Sequence, residues 1–188
     1  ITYLSLGTNL GNKTENLQNA IEGIAEKVGN IRKISGVYKT ASWGFESEDF
    51  YNCCVEVSTY HAPEKLLSIL LQIESNLGRS RIDSDTYLDR NIDIDILLFE
   101  DEIIFSKTLT VPHPKMLLRK FVLVPLAEIA PTFFHPIERK QLTFCLQSCE
   151  DASEIVNTAI QLIRPIPIVE KYNYIAIEGN IGSGKTSL

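Results

Sequence analysis

The chain has 188 residues, 44% of them hydrophobic and 22% charged, with a formal net charge of −6. This length suits one domain, or one domain plus part of another, and the composition excludes a disordered chain. The acidic balance argues against nucleic acid or a membrane surface as partner, and no run reaches the roughly 18 apolar residues of a membrane span.

The opening run Ile1-Thr2-Tyr3-Leu4-Ser5-Leu6 lacks the basic flank of a signal peptide and reads as a first strand, Tyr3 to Leu6. Gly7-Thr8-Asn9-Leu10-Gly11-Asn12 follows as a turn-rich loop able to approach a ligand. Asn12 with Glu15 three residues later makes a capping-box-like helix start. Leu17, Ala20, Ile21, Ile24, Ala25 and Val28 then share one helical face, and Gly29 ends the helix. Ile31 to Tyr38 is expected as a second strand, and Thr40 to Asp49, with the single tryptophan Trp43, as a long loop and candidate lid.

Phe50 to Tyr60 reads as a third strand, with Phe50 and Asn52 on one face. A ring beside an amide suits a flat, hydrogen-bonding heterocycle; it also suits an ordinary half-buried strand. Pro63 and Glu64 open a second helix that buries Leu66, Leu70, Ile73 and Leu77 and stops at Gly78. Arg79 and Arg81 come next, placed to meet the helix carbonyls or a phosphate, and Ile82 to Leu88 reads as a loop.

Arg90-Asn91-Ile92-Asp93-Ile94-Asp95-Ile96-Leu97-Leu98-Phe99 carries the strongest chemical signal. Alternation with period two makes it a strand with Asp93 and Asp95 side by side and the isoleucines turned to a core. Carboxylates so close repel, and a divalent cation relieves this; oxygen-only donors suit Mg²⁺. The competing reading is an edge strand with solvated aspartates. Arg90 could grip a phosphate bidentately. The order strand, helix, strand, strand, helix, strand predicts an α+β fold: a ferredoxin-like βαββαβ core, its antiparallel sheet carrying helices on one face and leaving the other for ligands.

Downstream, prolines flank His113, Lys115 to Val124 is expected as a short helix with Arg119 and Phe121, and Pro125 to Pro131 closes the core. Leu142 to Ile163 reads as mixed helical, with no evident chemistry. Cys53, Cys54, Cys145 and Cys149 match neither a zinc nor a disulfide framework, which points to a reducing cytoplasm. Arg164-Pro165-Ile166-Pro167 falls in an expected linker, 161–172, after a domain spanning 1–160. Tyr174 to Glu178 then reads as a fresh strand running into Gly179-Asn180-Ile181-Gly182-Ser183-Gly184-Lys185-Thr186, a G-x-x-x-x-G-K-T phosphate loop. Residues 173–188 resemble the opening of a deoxynucleoside kinase, which suggests a bifunctional parent protein.

Assembled, residues 2 to about 145 resemble 6-hydroxymethyl-7,8-dihydropterin pyrophosphokinases of folate biosynthesis. The resemblance rests on Ser5 to Gly11, Tyr38-Lys39-Thr40, Phe50-Tyr51-Asn52, Glu74 through Arg81, Arg90 to Asp95, and Val111-Pro112-His113 with Arg119 and Phe121. It implies transfer of pyrophosphate from ATP to the pterin hydroxymethyl group, leaving AMP. Asp93 and Asp95 would hold two Mg²⁺ ions. Arg81, Arg90, His113 and Arg119 would hold the triphosphate, with Glu74, Arg79, Ile96 and Thr110 near the nucleotide. Phe50 and Phe121 would sandwich the pterin, and Asn52, with Thr40, Ala41, Trp43 and Asp93, would read its edge. Tyr87 and Asp89 stand where the family has Trp and Pro, Ala41-Ser42 replaces Pro-Pro after Thr40, and Pro114 replaces an aromatic residue. A nucleoside kinase using Lys185, or a non-catalytic module docking a protein on its sheet, are the alternatives.

Overall fold

The computed structural model describes residues 1–42, 48–78 and 91–171. Strand β1 (Thr2–Thr8) leads to α1 (Lys13–Lys27), β2 (Gly29–Ile34), β3 (Tyr38–Thr40), β4 (Phe50–Thr59), α2 (Pro63–Asn76) and β5 (Asp93–Phe99). This is the expected βαββαβ order with its second strand divided. The sheet runs β5-β1-β4-β3, all neighbours antiparallel, and β2 also pairs with β4. The division has a local cause. Ile34 stands opposite Val55 and Tyr38 opposite Asn52, so Ser35, Gly36 and Val37 face only Cys53 and Cys54. That surplus residue is a bulge, and it bends the chain between β2 and β3.

The helix starts follow from their sequences. Asn12 Oδ1 accepts the Glu15 amide while its own Nδ2 donates to the Glu15 carboxylate at 3.0 Å, a variant of the capping box in which the side-chain amide replaces the backbone N–H. Pro63 occupies the first turn of α2, where its missing N–H is harmless. Gly78, at φ +85°, ends that helix in the left-handed region. Asn91 Nδ2 donates to the carbonyls of Leu77 and Gly78, so the flanks of segment 79–90 are held together.

Helices α1 and α2 bury Leu17, Ile21, Ile24, Leu66, Leu70 and Ile73 against Leu4, Leu6, Val55, Ile94 and Ile96. The two helices of the core therefore lie on one face, as the pattern implied. The opposite face is only partly open. After β6 (Ile104–Phe105), β7 (Thr110–Val111) and a 3₁₀ turn at Met116–Leu118, helix α3 (Lys120–Ile129) covers it with a second core of Tyr3, Cys54, Leu97, Met116, Val122 and Leu126. Cys53 and Cys54 thus enter different cores, as adjacent strand residues must. Helix α3 also runs through Pro125, beyond the expected end at Val124. Its buried apolar residues outweigh the single amide bond that proline removes.

The stretch expected to be mixed helical is instead α4 (Leu142–Gln147) followed by β8 (Ile155–Asn157). Strand β8 pairs with β3 and extends the sheet. The expected linker begins as a strap. Ile160 and Leu162 pack on the α1 core, Gln18 exchanges two hydrogen bonds with the Ile163 backbone, and Arg164 donates to the Ile31 carbonyl. A short turn of helix, α5 (Ile168–Lys171), follows. Residues 173–188, with the phosphate-loop motif and Lys185, lie outside the described residues. Among the described residues no helix is long and apolar enough to cross a membrane.

Candidate active site

The site lies on the sheet face shared with α3, beyond the start of that helix. Register builds it. Gly7 of β1 pairs with Asn52 on one side and Asp93 on the other, so the three stand in one row across the sheet. The next row is Cys54, Ser5 and Asp95. Asp93 and Asp95 are half-buried and share a face, while Ile94 and Ile96 between and after them are in the core. The period-two reading of this strand holds.

Gly7 is the gap in the row. A Cβ there would stand 3.1 Å from Asn52 Oδ1 and 4.0 Å from the Phe50 ring. Without it, the space between the Asn52 amide and the Asp93 carboxylate stays open. Asn52 is buried, and its Nδ2 donates to Thr40 Oγ1 at 2.9 Å. That bond turns Oδ1 toward the Gly7 gap. Phe50 lies on the same face, half-buried.

His113 stands near Asp93 with Arg119 beside it, and Arg119 in turn lies against Phe121. The His113 amide donates to the Leu97 carbonyl at 2.9 Å, tying its loop to β5. His113 Nδ1 accepts the Lys115 amide at 3.2 Å, so the neutral ring carries its proton on Nε2. Burial, then the neighbouring Arg119, lowers its pKa to about 4, against a weaker opposing pull from Asp93. At neutral pH His113 is an uncharged donor. Arg119 is buried and its guanidinium lies 5.7 Å from the centre of the Phe121 ring.

Around the edge of the sheet, α2 and β5 enclose a cleft of about 490 Å³ that reaches both aspartates. Its walls include Leu67, Leu71, Glu74, Ile94 and Thr108. Glu74 is buried and accepts the Ile94 amide at 2.8 Å. That amide faces the open edge of the sheet, and alternation turns the Ile96 peptide groups the same way. Ile96 offers a ligand only these groups, because its side chain is in the core. Thr110 sits in β7; the cleft wall is formed two residues earlier, by Thr108.

The chemistry of this donor set fits a hard cation. Two carboxylates offer up to four oxygens, and among the described residues no third His, Cys, Asp or Glu joins them. Mg²⁺ binds in this way, through one or two carboxylates plus phosphate oxygens and water.

The sequence signature of the 7,8-dihydro-6-hydroxymethylpterin-pyrophosphokinase family matches residues 3–131. The chain belongs to this pyrophosphokinase family. It is 42% identical over 141 residues to the 2-amino-4-hydroxy-6-hydroxymethyldihydropteridine pyrophosphokinase of Aquifex aeolicus, covering 74% of this chain and 86% of that one. The Bacillus subtilis pyrophosphokinase is 40% identical over 131 residues, covering 69% and 77%. In fold, the chain is similar to the Plasmodium falciparum HPPK-DHPS crystal structure, with a TM-score of 0.64 at 19% identity. That alignment covers 78% of this chain and 43% of the longer one.

Of the residues expected to serve a pyrophosphokinase, Thr40, Phe50, Asn52, Asp93 and Asp95 share one face of the sheet, His113 and Arg119 lie near Asp93, Phe121 lies against Arg119, and Glu74 stands at the sheet edge. Ala41 is exposed beside Thr40. Trp43, Arg79, Arg81 and Arg90 lie outside the described residues, as do Tyr87 and Asp89. Sequence reasoning missed Leu67, Leu71 and Thr108. The two leucines carry a faint signal, an i, i+4 pair beside the core stripe of α2. Gly7 was read as the end of a strand, whereas it lies within β1.

Proposed function

We propose that the chain transfers pyrophosphate from ATP to the hydroxymethyl group of 6-hydroxymethyl-7,8-dihydropterin, giving AMP and the pterin diphosphate, a step of folate biosynthesis. The observation that carries this is the row Asn52, Gly7, Asp93, which sets an amide, a gap and a carboxylate in line. The gap admits a flat ring, Asn52 reads its hydrogen-bonding edge, and Phe50 and Phe121 supply the faces. The hydroxymethyl group of such a ring would point along the row toward Asp93 and Asp95.

The cleft at the sheet edge suits the nucleotide. Leu67, Leu71 and the outward peptide groups of β5 would receive its base, which leaves its phosphates beside the two aspartates. Arg119 and the Nε2–H of His113 would donate to phosphate oxygens. Arg81 and Arg90 are proposed to join them, with Arg79 close by. Asp93 and Asp95 would hold two Mg²⁺ ions, which when bound neutralise phosphate charge.

The substrate oxygen forms a bond to the β-phosphorus as the bond from that phosphorus to the AMP oxygen breaks. The hydroxyl proton passes to solvent. The residues contribute orientation and electrostatics. The four cysteines are free thiols, which supports a reducing cytoplasm as the setting.

The test is product analysis of ATP plus the pterin by chromatography. AMP and pterin diphosphate in equal amounts are expected; ADP with a pterin monophosphate would refute the reading. The Gly179 to Thr186 motif favours a second reading alongside the first: a nucleotide-binding unit of deoxynucleoside-kinase type begins near residue 173. A native protein with an intact mass near 21.2 kDa would contradict it.

A further inference from the structure

Two walls enclose the proposed pterin slot. One is β3 and β4, with Thr40 and Asn52. The other is the start of α3, with Arg119 and Phe121. The two walls are distant in sequence, and one of the ties between them is made by residues beyond the stretch matched by the family, 3–131.

The junction is built from Asp151 onward. Asp151 Oδ2 accepts the Lys120 amide at 2.9 Å. Lys120 is the first residue of α3, and Arg119 before it supplies no side-chain cap of its own. The orphan donor of the helix is therefore satisfied from 31 residues downstream. Asp151 Oδ1 accepts the amide of Ser153 at 2.9 Å, and also the Ser153 hydroxyl. Lys120 Nζ donates to the Ser153 carbonyl at 3.4 Å. Two residues later the same segment becomes β8, whose Ile155, Val156 and Asn157 pair with Thr40, Lys39 and Tyr38.

The other end of α3 is tied to the same strand. The Glu128 carboxylate accepts the Tyr38 hydroxyl at 2.9 Å and the Gly36 amide at 3.0 and 3.1 Å. Helix α3 is thus held to β3 at both ends, with Asp151 making the tie at the Arg119 end, where the Cys54 thiol of β4 also stands 3.7 Å from the Val122 carbonyl.

We propose that residues 151–157 form a bracket that sets the spacing of the two walls of the pterin slot, with Asp151 as its positioning residue. The inference rests on the pyrophosphokinase reading. Asp151 acts through the Lys120 amide and through Ser153. Its two oxygens do different work, one on each arm. An asparagine at this place keeps one acceptor oxygen and can serve only one arm, whereas an alanine serves neither.

The experiment is steady-state kinetics on the full chain carrying Asp151→Ala or Asp151→Asn, with a thermal melt of each. Asp151→Ala should raise KM for the pterin on the order of tenfold. KM for ATP should rise less, because of the residues proposed for the nucleotide only Arg119 stands on the bracketed wall, while the α2–β5 cleft lies apart from it. Asp151→Asn should fall between it and wild type. A merely structural residue would lower the melting temperature and leave KM unchanged in the folded protein. Should Asp151→Ala melt below the assay temperature, Ser153→Ala carries the test, since it removes one donor and leaves the Lys120 cap; a raised pterin KM is again expected. Wild-type KM in Asp151→Asn and Ser153→Ala would overturn the bracket while the enzyme itself still worked. A wild-type chain that makes no AMP would sink the functional reading, and the bracket with it.

Discussion

A methyl group at Gly7 would stand 3.1 Å from Asn52 Oδ1, closer than side-chain contacts normally allow. Gly7→Ala should therefore displace the amide and narrow the slot. We expect pterin KM to rise on the order of tenfold with the protein still folded, measured by initial rates at saturating ATP. The histidines give a prediction of stability against pH. Burial lowers His113 to about 4 and also lowers His135, whose Nδ1 accepts the amides of Ile137 and Glu138. Both are neutral when folded, while the unfolded chain takes up their protons below the ordinary 6.5. Stability is thus full above that pH and falls as pH drops toward 4. In urea titrations without ligand, His135→Asn, which keeps an acceptor for the two amides, should shrink the loss between about pH 7 and pH 5. Asp93, Asp95, Phe50 and Asn52 were legible in the sequence because strand alternation alone fixes their faces. The Gly7 gap was not, since it exists only once β1 is threaded between β4 and β5.

The elements owe their ends to local chemistry and their company to distant residues. The capping box at Asn12 and Pro63 at the start of α2 were readable because each works within a few residues. The break at Ser35 to Val37 was not, because a bulge is defined by the partner strand. Strand β8 was missed for a related reason. Three residues carry no period, and their pairing with β3 is settled more than a hundred positions away in the chain. Glu74 shows how an element holds the site. It satisfies the Ile94 amide from the adjacent helix, on a strand that among the described residues has no partner strand on that side. Glu74→Ala leaves that amide unpaired and should destabilise the fold by about 1–3 kcal/mol. It should also lower kcat/KM for ATP, since Ile94 lies between the two aspartates. Glu74→Gln retains an acceptor and should recover most of both, as denaturant titration and initial rates would show.

For the whole molecule, the strand and helix order was enough to give the ferredoxin-like core, and the motif order was enough to give the family. The second face was the larger surprise. A sheet expected to be open there is half covered by α3, which leaves a bounded site instead of a broad platform. The region 161–172 was expected to be a linker, yet Gln18 and Ile31 hold its first part on the domain. Its Pro-rich composition hid contacts that depend on where α1 and β2 lie. Limited proteolysis should accordingly spare residues 158–164, and early cuts within them would contradict the strap.

The central claim is that Asp93 and Asp95 together hold Mg²⁺ against the phosphates of ATP. Its most direct test is AMP formation as a function of Mg²⁺ in wild type and in Asp95→Asn, each checked for an unchanged melting temperature. The account predicts no turnover without Mg²⁺ and a fall in kcat on the order of a hundredfold or more in Asp95→Asn. Mg²⁺-independent AMP formation, or an Asp95→Asn enzyme that turns over at the wild-type rate, would contradict it.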